Sequence, residues 1–159
     1  MIKRIDVSNY RSIGDRVSVG FNDFTVLVGP NGSGKSNVVD ALRFVRDSLE
    51  MGLSGAITHR HGIAAVRRWS GGHPFNVEIE VRLELEGRPA LYSFSLTGAS
   101  REEYRVRHEE ALISTADESF RFRTEFGAWR QGPAGLSPRV DDTSLTLPTV
   151  AGDTRFKPL

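Results

Sequence analysis

Gly29-Pro30-Asn31-Gly32-Ser33-Gly34-Lys35-Ser36 puts three glycines, an ammonium and a hydroxyl into eight consecutive residues. That set is suited to holding phosphate. Without a Cβ, glycine reaches the left-handed and close-approach conformations that turn successive backbone N–H groups toward one anion. In the pattern G-x-x-x-x-G-K-[ST], Lys35 reaches the β- and γ-phosphates of a nucleotide and the Ser36 hydroxyl ligates Mg²⁺. A helix starting at the end of the loop adds its unpaired amides and its positive dipole end, worth up to about 2 kcal/mol in a partly buried site. The backbone from Asn31 to Ser36 is therefore the expected cradle, with Asn37 just behind it. Lysine usage supports the assignment. Of 21 Lys and Arg residues only Lys3, Lys35 and Lys157 are lysine, so a compact ammonium stands where a point charge must fit among phosphate oxygens.

The flanking pattern supplies the elements that would position such a loop. Ile5 and Val7, then Val17, Val19 and Phe21, alternate with polar residues and predict two short strands with a turn at Gly14-Asp15. Phe24 to Val28 is almost continuously apolar, the pattern of a strand buried on both faces. Val38, Leu42, Val45 and Leu49 recur at helical spacing opposite Asn37, Arg43, Asp47 and Glu50, which predicts a helix from about Lys35 to Met51 that stops at Gly52.

Further along, residues 53–74 lose periodicity and read as a mobile connection with a short turn over Ile63 to Arg68. Phe75, Val77, Ile79, Val81, Leu83 and Leu85 then alternate strictly with polar residues and predict a half-buried strand. Gly87-Arg88-Pro89 turns it. Apolar positions at Tyr92, Phe94, Leu96, Tyr104, Val106, Ile113, Phe120, Phe122 and Phe126 extend it into an antiparallel meander of about four strands over residues 75–127. Residues 128–159, interrupted by Pro133, Pro138 and Pro148, read as an irregular tail. Arg105, Arg107, Arg121 and Arg123 fall on the polar face of the meander, where the Glu-rich face of the 75–86 strand offers cross-strand partners. His59, Arg60, His61, Arg67, Arg68 and Trp69 read as a solvated loop.

The 159 residues suit one domain with a real core. A net charge of +1 gives no global pull toward nucleic acid or membrane, and the absence of cysteine excludes disulfides and thiolate zinc sites. No apolar run approaches the roughly 18 residues of a membrane span, and the N-terminus carries no signal-peptide block. A soluble, cytoplasmic protein is the expectation.

Asn9-Tyr10-Arg11-Ser12, the two short strands, Gly29 to Asn37 and Asp40-Ala41-Leu42 together resemble the start of an ABC-type ATPase head of the SMC/Rad50/RecF-like or OLD-like group. The resemblance covers roughly the first fifty residues, and beyond them rests on the antiparallel insertion after the first helix. It implies an α/β P-loop NTPase lobe, with a mixed sheet around one main helix (residues 1–52) followed by the meander. ATP and Mg²⁺ are the implied cofactors. Arg11 takes the position of an arginine near nucleotide or DNA, with Asp6 or Asp15 as its alternative partner, and Gln131, the only glutamine, that of a metal- and water-contacting residue beside Ser36. Implied partners are a C-terminal ATPase lobe from the same gene or a separate chain, a second head, and DNA or a nuclease; no membrane is implied.

Hydrolysis in that group needs four apolar residues followed by Asp-Glu to hold Mg²⁺ and polarise water. Neither Asp117-Glu118 nor Asp141-Asp142 follows such a run. Ser70-Gly71-Gly72 copies the letters of the group's signature motif, but precedes the meander and reads as a loop. The expectation is the N-terminal lobe of a head in DNA repair, chromosome maintenance or bacterial defence, nucleotide-binding and nearly inactive alone. A self-contained small kinase or transferase and a non-catalytic nucleotide-dependent interaction module are the alternatives.

Overall fold

A computed structural model describes residues 1–70 and 73–159. Its elements in chain order are β1 (Ile2–Ser8), β2 (Val17–Gly20), α1 (Lys35–Glu50), α2 (Leu53–His59), α3 (Ile63–Val66), β3 (Trp69–Ser70), β4 (His73–Pro74), β5 (Val77–Leu85), β6 (Arg88–Thr97), β7 (Arg105–Ser114), β8 (Ser119–Glu125), β9 (Ala128–Gln131) and α4 (Leu147–Val150). The Gly71-Gly72 part of the Ser-Gly-Gly sequence lies outside the described residues.

The fold is α/β, built on one seven-stranded sheet of order β2-β1-β5-β6-β7-β8-β9. All its pairings are antiparallel, so the expected mixed sheet and separate meander are one continuous surface. β1 joins them by pairing β2 on one side and β5 on the other. Alternation puts Ile5, Val7, Val77, Ile79, Val81, Tyr92, Phe94 and Phe122 on the face covered by the helices. Phe44 of α1 stacks obliquely between Tyr10 and Phe94, with ring centroids 5.7 and 6.1 Å away.

The largest departure from expectation is Phe24–Val28. It forms no strand, and Phe24, Val26 and Val28 are 84%, 62% and 88% exposed. A strand apolar on both faces needs a sheet edge to pair with and cover on both faces; β1 already has β2 and β5 on its two edges, and nothing among the described residues buries either face of this segment.

Elsewhere the chain is more ordered than its sequence suggests. Residues 53–66, where a mobile connection is expected, form α2 and α3 and bury Leu53, Ala56, Ile57, Ile63 and Val66. The expected irregular tail contributes β9 and α4, and buries Leu145, Leu147, Val150 and Phe156. Arg121 and Arg123 do form ion pairs, but with Glu110 on β7, and Arg105 pairs with Asp142. β6 separates them from the glutamates of β5, which pair instead with Arg16, Arg82 and Lys3.

Candidate phosphate-binding site

The glycine-rich loop runs directly into α1. Gly34 is the N-cap at φ 87° and Gly32 sits at φ 81°, both left-handed conformations that a side chain disfavours. A Cβ at Gly29 would lie 3.2 Å from Ser33 Oγ, so the loop closes tightly on itself there. No side chain caps α1 and the Asn37 N–H turns onto the Gly34 carbonyl at 3.0 Å, which leaves the Lys35 and Ser36 amides open to an external acceptor. A cavity of about 200 Å³ is lined by Ser12 and by Asn31 through Asn37.

Lys35 Nζ donates to the carbonyl oxygens of Gly29 and Pro30, both at 2.7 Å, and to Ser33 Oγ at 3.0 Å. All three ammonium donors are thus held by the loop itself, and phosphate oxygens entering the cavity would compete for them. The Ser36 hydroxyl is exposed at the same mouth. An ammonium, a free hydroxyl, uncapped amides and two left-handed glycines fit a magnesium-bound nucleotide phosphate.

The chain segment after β1 lies along the exit face of this loop. Ile13 approaches Gly34, Asn37 Nδ2 donates to Ser12 Oγ at 2.6 Å, and Tyr10 OH donates to Asp40 Oδ2 at 2.5 Å. Residues 34, 37 and 40 recur at a spacing of three, which places them on one side of a helix. Arg11 forms an ion pair with that same Oδ2 at 2.8 Å, rather than with Asp6 or Asp15. Asp6 is engaged by Arg4, Arg16 and Ser18; their hydrogen bonds outweigh its burial and hold its carboxyl well below the usual range. Burial and the Asp40 carboxylate push the Tyr10 phenol up. Ser12 is the lining residue that the loop pattern alone does not show; its signal was its place beside Arg11.

Two arginines expected in a solvated loop are buried. Arg60 is 6% exposed, donates to Asp47 Oδ2 at 2.8 Å and to the Ala56 carbonyl at 3.1 Å, and lies 5.1 Å over the Phe44 ring. Its partner Asp47, placed on the polar face by periodicity, is itself buried, and hydrogen bonds from Arg46 and Arg60 overcome that burial to lower its pKa. Arg67 is 3% exposed and holds the β6–β7 loop through the carbonyls of Ser100 and Glu103; burial lowers its pKa.

The two residues expected to share a metal are not brought together. Gln131 is on the edge strand β9, with four strands between it and β1, and is not among the residues that line the loop cavity with Ser36. It lines a separate surface depression with Arg107, Arg123 and Arg130. Asp117 and Glu118 are exposed in the turn between β7 and β8. Among the described residues no cluster of three or more His, Asp or Glu side chains could hold a metal, and no helix is long and apolar enough to cross a membrane.

The family model of the RecF/RecN/SMC N-terminal domain matches residues 1–54. Similar curated proteins include the chromosome partition protein Smc of Bacillus subtilis (strain 168), 53% identical over 45 residues that make up 28% of this chain and 4% of that protein. Smc of Clostridium kluyveri is 28% identical over an aligned 174 residues, covering 98% of this chain and 14% of the relative. Structural maintenance of chromosomes protein 1 of Schizosaccharomyces pombe is 29% identical over 123 residues, 70% of this chain and 10% of its own length. The chain thus spans no more than 14% of the length of these relatives. A solved chain from work on ATP-driven dimerization and DNA-stimulated activation of SMC ATPases is 25% identical, with a TM-score of 0.49, covering 66% of this chain and 67% of that one.

Proposed function

Taking as premise that this chain resembles the N-terminal lobe of an SMC/Rad50-like ABC-type ATPase head, we propose that it is the ATP- and Mg²⁺-binding lobe of such an enzyme. The observation that carries the reading is the uncapped start of α1 with Lys35 and Ser36 at one cavity. In this reading the amides from Asn31 to Ser36 cradle the β-phosphate, Lys35 leaves the loop carbonyls for the phosphate oxygens, and Ser36 holds Mg²⁺. Arg11 and Asn37 flank the nucleotide. Magnesium supplies neutralisation of the developing phosphoryl charge.

The lobe is catalytically incomplete alone. No Asp-Glu follows an apolar strand, so the acidic group that polarises water comes from a C-terminal lobe, in the same gene or a separate chain. Phe24–Val28, apolar and without strand partners, is where that lobe adds its strands. Two completed heads close over ATP, and the closure acts on chromosomal DNA.

The test is ATP hydrolysis by this chain alone, and then with the polypeptide that carries an apolar run ending in Asp-Glu. The reading expects turnover well below about 1 s⁻¹ alone and a large gain on mixing. Turnover at or above about 1 s⁻¹ by the chain alone would sink it, because that is the rate of a complete enzyme.

A further inference from the structure

Ser33 closes the empty loop with both of its polar groups. Its N–H donates to the Pro30 carbonyl at 3.3 Å, across a four-residue turn that Gly32 permits at φ 81°. Its Oγ accepts from Lys35 Nζ at 3.0 Å. With the Gly29 and Pro30 carbonyls, each 2.7 Å from Nζ, that hydroxyl completes the three acceptors around the ammonium. The closure is tight against Gly29, where a Cβ would stand 3.2 Å from Ser33 Oγ and 3.9 Å from Lys35 Nζ.

The three acceptors are not equivalent. Two are carbonyls fixed in the loop backbone, and they leave the ammonium only if a peptide turns or the lysine withdraws. Ser33 Oγ is the side-chain acceptor of the set, exposed to water and on the lining of the loop cavity. One change of χ1 rotamer removes it. While it stays, Lys35 has no donor left for an anion. The Ser33 amide, turned onto Pro30, is withheld in the same way.

We propose that Ser33 is a positioning residue that latches Lys35 in the empty loop, and that a phosphate-bearing ligand binds by displacing the Ser33 hydroxyl from the ammonium. The inference rests on the nucleotide-binding reading above and adds to it a closed state that opposes binding. Only the unlatched fraction of molecules offers a free donor, so the apparent dissociation constant rises by the reciprocal of that fraction. A hydrogen bond in exchange with water is modest in net strength, so the latch weakens binding by about threefold.

The experiment compares the 159-residue chain with its Ser33→Ala variant. Lysine ¹⁵Nζ NMR without ligand follows solvent exchange of the ammonium protons. The chain has only three lysines, so the Lys35 signal is assigned by its loss in Lys35→Arg. Lys35 exchange quickens in Ser33→Ala, whereas Lys3, paired with Glu84 at 3.2 Å, keeps its rate. Titration calorimetry with MgATP and with magnesium tripolyphosphate then gives about threefold tighter binding of both by Ser33→Ala. A hydroxyl that contacts phosphate, or that merely shapes the loop, gives weaker binding on removal, the opposite sign. Unaltered Lys35 exchange, or unchanged or weaker binding by Ser33→Ala, overturns the proposal. Neither ligand bound by either protein defeats the nucleotide reading instead, and the ligand-free exchange comparison still decides whether Ser33 holds Lys35.

Discussion

Glu109 shows how a single side chain can hold a distant segment. It lies on β7 with 0% exposure, receives Tyr92 OH at 2.8 Å and the Leu147 N–H at 2.9 Å on Oε1, and receives the Thr146 N–H on Oε2. Burial raises its pKa against the lowering effect of these donors. The inward direction comes from a bulge: Leu96 faces Val106 and Ser95 faces His108, so Arg107 is the extra residue, and both Val106 and Glu109 point into the core. Both oxygens accept a backbone N–H, and Gln offers only one acceptor. Glu109→Gln is expected to cost about 1 to 3 kcal/mol, a fall in melting temperature of roughly 2 to 12 °C for a domain this size, with faster hydrogen exchange at Thr146 and Leu147. An unchanged melting temperature would show that the carboxylate does not hold this segment. That Lys35 and Ser36 share one loop cavity was legible from spelling, because the glycine-rich pattern constrains residue types at fixed spacing. Glu109, Asp47 and Arg60 were not, because periodicity assigns charged residues outward and carries no information about the partner that admits them to the core.

At the scale of elements, α1 and the β5–β6 hairpin follow their hydrophobic periods closely. α1 spans Lys35–Glu50, against an expected end near Met51. α2, α3 and the buried tail were hidden, since short elements leave too few apolar positions to establish a period and are fixed instead by the surface they cover. Phe24–Val28 shows the converse. Its composition reads as a buried strand, but apolar character specifies burial without specifying by what. A Phe24→Ser, Val28→Thr double variant is therefore expected to unfold in urea within about 0.5 kcal/mol of the parent, as exposed positions do. A loss of about 3 kcal/mol or more, the cost of emptying a buried aromatic site, would mean that this segment is covered within the chain itself.

Across the whole molecule, the helices cover one face of the sheet and the other carries a network of paired charges, including Arg121 and Arg123 on Glu110 and Arg16 on Asp6. This arrangement agrees with a net charge of only +1. The loop and the exposed Phe24–Val28 segment are contiguous in sequence, so the loop cavity stands next to the most exposed apolar stretch among the described residues, the segment on which the proposed function places a second lobe. Everything in this account depends on the loop being a working half-site. The direct measurement is thermal unfolding of the purified chain with MgATP, with MgGTP and without nucleotide, for wild type and Lys35→Ala. Ligand at about 100 times its dissociation constant stabilises the fold by about 2.7 kcal/mol, which raises the midpoint by roughly 5 to 11 °C. The account predicts that rise with MgATP in wild type and its loss in Lys35→Ala. No rise in wild type, or an equal rise in the variant, would contradict it.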